Sequence, residues 1–142
     1  MKFFATVLAA ASAVSAAYPV FEVREFSAGC IPHSAQCKYS FEVIQAGTME
    51  SWEGHPVHCT ALVQSNNGLL PNVKEAKCGD DSSRTFDIVR SKKGLTFSVS
   101  QPVSPISNTT AKHFIPNKEL WVSKQPNAEV QAYKGPKDFK LY

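Results

Sequence analysis

Long apolar runs are scarce in this chain of 142 residues, and the clearest one, FFATVLAAASAV, lies at positions 3–14. It is shorter than the roughly 20 residues that a membrane-spanning helix needs, and no later segment is apolar enough to span a bilayer. One positive charge precedes the run and small residues follow it, as in secretory signal peptides. We therefore predict a signal peptide at residues 1–17 and a single secreted domain at residues 18–142, without membrane insertion.

Charge is also scarce, since the sequence has 15 Lys and Arg against 12 Asp and Glu, for a net charge of +3. No basic stripe is interleaved with stacking aromatic residues, so we predict no binding to nucleic acid. Lysines do gather after position 111, which is typical of a solvated face; the alternative is attraction to an anionic wall or membrane surface. These lysines are Lys112, Lys118, Lys124, Lys134, Lys137 and Lys140.

Catalytic and metal-binding motifs are missing as well. There is no G-x-S-x-G nucleophile motif. His55 and His58 are close in sequence, but a strand directs residues three apart to opposite faces, so we predict no metal site and no cofactor. His33 and His113 are isolated, which is more typical of surface histidines than of a general base. The sequence therefore predicts no catalytic residues and a protein that is not an enzyme.

Four cysteines remain, an even number, and a secreted chain meets an oxidising compartment in which disulfides form. They are Cys30, Cys37, Cys59 and Cys78. The six residues within CIPHSAQC that separate the first two exceed the usual spacing of zinc ligands. Of the three possible pairings we favour Cys30 with Cys37 and Cys59 with Cys78, because each pair closes a local loop rich in turn residues.

Helical periodicity is almost absent, and apolar residues alternate with period two, as in half-buried strands. The strongest pattern flanks SKKG, which predicts a hairpin turn between two strands. Turn signals recur about every 8–12 residues, the spacing of an antiparallel β-barrel or β-sandwich. We predict one all-β domain stabilised by two disulfides. The predicted strands lie at 20–26, 38–45, 58–64, 85–91, 94–101, 108–115, 119–123, 130–133 and 139–142.

Two surface features have specific interpretations. Asn108-Thr109-Thr110 is an N-glycosylation sequon, so Asn108 is a possible glycosylation site if the chain is secreted. Trp52 lies in the polar segment TMESWEGHPVH, where it is either a recognition anchor or a cover over one end of the barrel.

Several blocks of the chain resemble the small secreted fungal proteins known as hypersensitive-response-inducing proteins. The blocks are FSAGCIPHSAQCKYSFEV, CTALVQSNNGLLPNV, Cys78, GLTFSVSQPV, HFIPNKEL and YKGPKDFKLY, and they span nearly all of the predicted mature chain. The resemblance implies a compact β-barrel or sandwich that is released into the plant apoplast and acts as an elicitor or effector. It also implies two disulfides and no cofactor.

The resemblance implies that the protein acts through its folded surface. We expect a monomer that is perceived by a plant cell-surface receptor or another apoplastic component. Trp52, Trp121, Lys134 and Lys137 are the candidate contact residues, because tryptophans and accessible cations anchor many interfaces. The alternative is a secreted ligand-binding barrel or a small extracellular hydrolase of the ribonuclease type, with its site in a concavity at the strand ends.

Overall fold

The computed structural model describes residues 18–79, 81–125 and 128–142, so the predicted signal peptide lies outside the described residues. The described chain is all-β and antiparallel, which confirms the predicted fold class. Its strands are β1 (Phe21–Cys30), β2 (Gln36–Gln45), β3 (Val57–Gln64), β4 (Val73–Lys77), β5 (Thr85–Ser91), β6 (Gly94–Ser104), β7 (Ser107–Pro116), β8 (Leu120–Gln125), β9 (Ala128–Tyr133) and β10 (Phe139–Leu141), with a 3-10 turn at Asn117–Glu119.

The strands form two sheets around one core. One sheet has the order β3-β2-β1-β9-β8, with β10 also paired to β1, and the other has the order β4-β5-β6-β7. The Cys59–Cys78 disulfide joins the sheets at the β3/β4 edge. At the opposite edge Lys112 and Tyr142 exchange backbone hydrogen bonds of 3.0 and 3.2 Å, which closes the two sheets into a barrel. Nowhere in the described ranges does a helix reach the length and hydrophobicity that a membrane crossing requires.

Both predicted disulfides are present, Cys30–Cys37 between β1 and β2 and Cys59–Cys78 between the sheets. The predicted SKKG turn is also confirmed, because Ser91 pairs with Gly94 across a two-residue connection. Gly94 has a φ of +154°, and a Cβ there would lie 2.0 Å from the Ile115 carbonyl oxygen. Only glycine permits this approach of β7 to the start of β6.

Alternation places the core residues as the sequence predicts. Along β2, Tyr39, Phe41 and Val43 are fully buried, and along β6, Leu95, Phe97 and Val99 are buried opposite them. Aromatic rings from both sheets meet at the centre, with ring centroids 4.9–6.2 Å apart for Phe26, Phe41, Phe86 and Phe97. Phe41 packs edge to face on both Phe86 and Phe97 of the other sheet, and Phe26 packs on Phe97 at a tilt, so these ring pairs bury large apolar areas between the two sheets and hold them together.

A β-bulge in β1 changes which residues of this strand face the core. Phe21 and Val23 point inward, the pairing with β2 shifts between Arg24 and Ser27, and Glu25 has a φ of 55°. Because the bulge inserts one residue, Phe26 rather than Glu25 returns to the core. The bulge also leaves the backbone N–H groups of residues 25 and 26 free to bond outside the β1/β2 ladder.

His113 lies at the edge where β7 meets β10. Its ring stacks on Phe139, with centroids 4.0 Å apart. Burial lowers the pKa of His113 below its ordinary value, and the Glu119 carboxylate opposes this shift. Protonation therefore favours the unfolded chain, so the contribution of His113 to stability is complete above about pH 6.5 and is lost as the pH falls through the folded-state pKa.

The variant His113→Phe tests this pH dependence, because phenylalanine keeps an aromatic ring against Phe139 but does not titrate. Between about pH 7 and about pH 5 the wild-type protein should lose more free energy of unfolding than the variant does. Urea unfolding at a series of pH values measures the difference. Parallel pH profiles for the two proteins would contradict the prediction.

Candidate functional site

A row of paired residues crosses four strands on the outer face of the first sheet. Lys38 of β2 pairs with Gly29 of β1, Gly29 pairs with Ala132 of β9, and Ala132 pairs with Trp121 of β8. Residues paired across neighbouring strands share a face of the sheet. This face is the outer one, because Ala28 and Cys30 on either side of Gly29 are buried. The two small residues therefore form a trough between Lys38 and Trp121.

The trough continues into a gap at the edge of β1. Residues Phe21–Val23 of β1 pair with β10, whereas Gly29 pairs with β9. The segment 134–138, which connects β9 to β10, crosses this gap. The Phe26 N–H donates to the Lys137 carbonyl at 2.9 Å, and the Glu25 N–H donates to Asp138 Oδ1 at 3.1 Å. The bulge in β1 thus supplies the donors that fix the crossing segment.

Packing at the other end of this segment also fixes it. The Lys134 N–H donates to the Glu119 carbonyl at 2.7 Å, and the Tyr133 hydroxyl donates to the Pro136 carbonyl. Burial and the nearby Glu119 carboxylate raise the pKa of Tyr133 to about 12, so its hydroxyl stays a neutral donor. A Cβ at Gly135 would lie 2.6 Å from the Tyr133 Oη, which shows how closely the segment approaches. The segment is therefore preorganised.

Trough and segment together enclose a cleft of about 440 Å³, which we call the lysine-rimmed cleft. Three lysines line the cleft, and its other lining residues are uncharged. No acidic residue is among the lining residues. Its lining residues are Phe26, Ser27, Ala28, Gly29, Lys38, Ala132, Tyr133, Lys134, Gly135 and Lys137. Lys134 Nζ also lies 5.7 Å from the ring centroid of Trp121, which is 57% exposed.

Three of the four predicted contact residues meet at this cleft. Lys134 and Lys137 line it, and Trp121 stands at the end of the adjoining trough. Trp52 lies elsewhere: the Arg24 guanidinium covers its ring at 4.4 Å, and it lines a separate cleft of about 230 Å³ with Val23 and Phe139. Trp52 therefore remains a predicted contact residue outside the lysine-rimmed cleft.

Two other clefts bring a histidine near a carboxylate. His55 and Glu50 line a cleft of about 650 Å³, and His33 and Glu129 line one of about 410 Å³. The Glu50 carboxylate is already engaged, because it accepts hydrogen bonds from buried Arg84 at 3.1 and 3.2 Å. In the described part of the chain neither histidine hydrogen-bonds its acidic neighbour, and no group of three metal-ligating side chains converges.

The predicted glycosylation site, Asn108, is exposed on β7 and pairs with Pro102. Its position leaves room for a glycan, and its modification stays a prediction. Sequence reasoning did not identify Lys38, Gly29 or Ala132 as site residues. The alternation in β2 does direct Lys38 outward, but no sequence signal shows that β9 pairs with β1 at Gly29.

No protein-family model and no curated protein matches the chain. Among solved structures, the chain is similar to the major allergen Alt a 1 of Alternaria alternata, with 16% sequence identity, a TM-score of 0.49, and coverage of 85% of this chain and 89% of that chain. A similarity of this size carries no argument about function. We therefore infer the function from the residues of this chain.

Proposed function

We propose that this chain is a secreted fungal elicitor or effector that plant cells perceive through its folded surface, without catalysis. The lysine-rimmed cleft is the observation that carries the proposal. It joins three cations and the exposed Trp121 on a face that the fold holds rigidly. Interfaces concentrate their binding energy in tryptophan and charged anchors, and preorganised surfaces lose little entropy on binding.

Secretion is supported by two features. The N-terminal run has the pattern of a signal peptide, and all four cysteines are paired, which is usual in an oxidising extracellular compartment. The resemblance of the sequence blocks to hypersensitive-response-inducing proteins supports the apoplast as the destination.

The charge of the cleft defines the kind of partner that it suits. Lys38, Lys134 and Lys137 form no ion pair within the described chain, where the ion pair found joins Arg84 to Glu50. Positive groups without partners attract an anionic surface and accelerate encounter with it. A plant receptor or apoplastic component with an acidic face is therefore the partner we propose for the monomer.

Leaf infiltration with the purified mature protein tests this function. The oxidised protein should cause dose-dependent cell death or an oxidative burst, and a reduced and alkylated sample should not. The variant Lys38→Glu/Lys134→Glu/Lys137→Glu should lose the response at doses where the wild type is fully active. A matched control, Lys74→Glu/Lys77→Glu/Lys92→Glu, has the same net charge but changes exposed lysines on β4 and in the turn between β5 and β6, and it should stay active.

Circular dichroism and disulfide mapping first establish that each variant is folded. Folded wild-type protein that produces no response in several plant species would overturn the elicitor function. Equal loss of response in both triple variants would show that net charge, rather than the lysine-rimmed cleft, determines perception.

A further inference from the structure

We propose that the lysine-rimmed cleft binds a small amphipathic carboxylate, with the carboxylate among the lysines and an apolar body along the trough. This inference uses the same site as the proposed function and adds the chemical class of its ligand. It depends on three observations: the sign of the charge at the rim, the apolar character of the floor, and the size of the cleft.

The rim selects a negative group. Lys38 is contributed by β2, and Lys134 and Lys137 by the segment that follows β9, so the three lysines line the cleft from two sides. No carboxylate is among the lining residues; the Glu119 carboxylate lies behind Gly135 and Tyr133 and offsets part of the positive charge, so three lysines at the rim face one carboxylate beneath it. A ligand carboxylate would gain charge-assisted hydrogen bonds there, which are stronger than those between neutral groups.

The floor selects an apolar body. Gly29 and Ala132 supply the exposed carbon surface, Phe26 and Ala28 lie beneath them and are only 1% and 7% exposed, and Ser27 adds one hydroxyl group. The Tyr133 hydroxyl is the one polar ring group in the lining, and it is already bonded to the Pro136 carbonyl. A sugar would leave most of its hydroxyl groups without partners on such a floor, which costs free energy. A hydrocarbon chain or ring would instead gain from burial.

The size of the cleft suits a small molecule. Its volume of about 440 Å³ falls within the range of small-ligand sites, roughly 300–1,000 Å³. Trp121 stands at the far end of the row from Lys38, with Gly29 and Ala132 between them. A ligand whose carboxylate lies at Lys38 would direct its apolar end toward the indole ring, and one whose carboxylate lies at Lys134 would place its charged end there, because Lys134 Nζ is 5.7 Å from that ring; Trp121 therefore senses either orientation.

Tryptophan fluorescence gives a direct readout of this arrangement. The sequence has two tryptophans, so in the variant Trp52→Phe only Trp121 emits as an indole. Decanoate, added below its critical micelle concentration, should shift this emission in a saturable way. Decanol, which has the same chain without the charge, should bind at least about tenfold more weakly. Acetate, which has the charge without the chain, should cause no saturable change.

Two changes in the cleft should remove the response to decanoate. Lys38→Gln/Lys134→Gln/Lys137→Gln removes the charge at the rim, and the variant Lys74→Gln/Lys77→Gln/Lys92→Gln is its matched control. Gly29→Val fills the trough without changing any charge. A Cβ at Gly29 would lie 3.8 Å from the Ala132 Cβ, an ordinary contact, so the first atom of the new side chain fits, and circular dichroism establishes that the variant folds before binding is measured.

The outcomes separate this inference from the proposed function. Equal affinity for decanoate and decanol, or binding that survives both cleft variants, would overturn the inference. Binding to anionic phospholipid vesicles without binding to free decanoate would also overturn it and would make this face a membrane contact. If decanoate fails to bind but the leaf response still requires the three lysines, the proposed function stands alone; if decanoate binds and leaves do not respond, only the elicitor function fails.

Discussion

Replacement of Phe97 by alanine should lower the free energy of unfolding by about 3–5 kcal/mol, because it removes the ring that connects the two sheets. Phe97 is fully buried on β6. Its ring centroid lies 4.9 Å from that of Phe41 and 5.2 Å from that of Phe26, both from the opposite sheet, and 5.9 Å from that of Phe139 in β10. The alanine variant would leave a cavity between the sheets that these rings cannot fill without breaking their own packing.

The matched control is Phe114→Ala on the neighbouring strand β7. Phe114 is 46% exposed, so its truncation should cost about 1 kcal/mol or less. Urea unfolding with both disulfides intact should show a large drop in midpoint for Phe97→Ala with an unchanged m-value. Similar midpoints for the two variants would mean that the centre of the barrel can repack, contrary to the prediction.

The strands that alternate most regularly were predictable from the sequence. In β2, β5 and β6, aromatic and aliphatic residues recur at every second position, and each strand has a clear turn signal beside it. For β5 the predicted range, 85–91, agrees with the structure. Period-two burial gives this pattern wherever one face of a strand meets the core and the other meets solvent.

Two strands show where alternation fails as a guide. The sequence predicted β1 at 20–26, but the strand continues to Cys30. The prediction ended too early because the bulge at Glu25 shifts the inward-facing positions by one residue and so interrupts the alternation. No strand was predicted at β4, because its residues VKEAK include charged and alanine residues that disfavour strands. Glu75 of β4 also has a positive φ, and the pairing with β5 shifts between Val73 and Ala76.

The candidate site was only partly predictable for a related reason. Trp121, Lys134 and Lys137 could be chosen by residue type, since tryptophan and lysine are common recognition groups. Gly29 and Ala132 gain their importance from pairing between strands that lie about 100 residues apart in the sequence. Register between such distant strands depends on the whole sheet, so a single sequence does not show that these two small residues adjoin.

The bulge in β1 connects the fold with the proposed site. It returns Phe26 to the aromatic core, and it releases the N–H groups of Glu25 and Phe26 to bond the segment that holds Lys134 and Lys137. Positive φ at a residue other than glycine is strained, and such strain is often retained at functional positions. Core packing therefore supports the geometry of the lysine-rimmed cleft.

Removal of the Cys59–Cys78 disulfide should destabilise the protein more than removal of Cys30–Cys37. The two bonds close loops with sequence separations of 19 and 7, for which loop-closure entropy predicts about 3 and about 2 kcal/mol respectively. Their positions add to this difference. Cys30 and Cys37 are also paired within the β1/β2 ladder, whereas Cys59–Cys78 joins the two sheets at their β3/β4 edge.

The double variants Cys59→Ala/Cys78→Ala and Cys30→Ala/Cys37→Ala make the comparison, because each removes two sulfur atoms from largely buried positions. Urea unfolding of both variants under identical conditions measures the two losses. A larger loss for the Cys30/Cys37 variant would show that the hairpin staple, rather than the link between sheets, limits stability. The Cys59–Cys78 bond covalently fixes one edge between the sheets, and the backbone pairing of Lys112 with Tyr142 fixes the opposite edge. If the predicted order holds, most of the stability that the protein loses when both disulfides are reduced should therefore come from opening the β3/β4 edge.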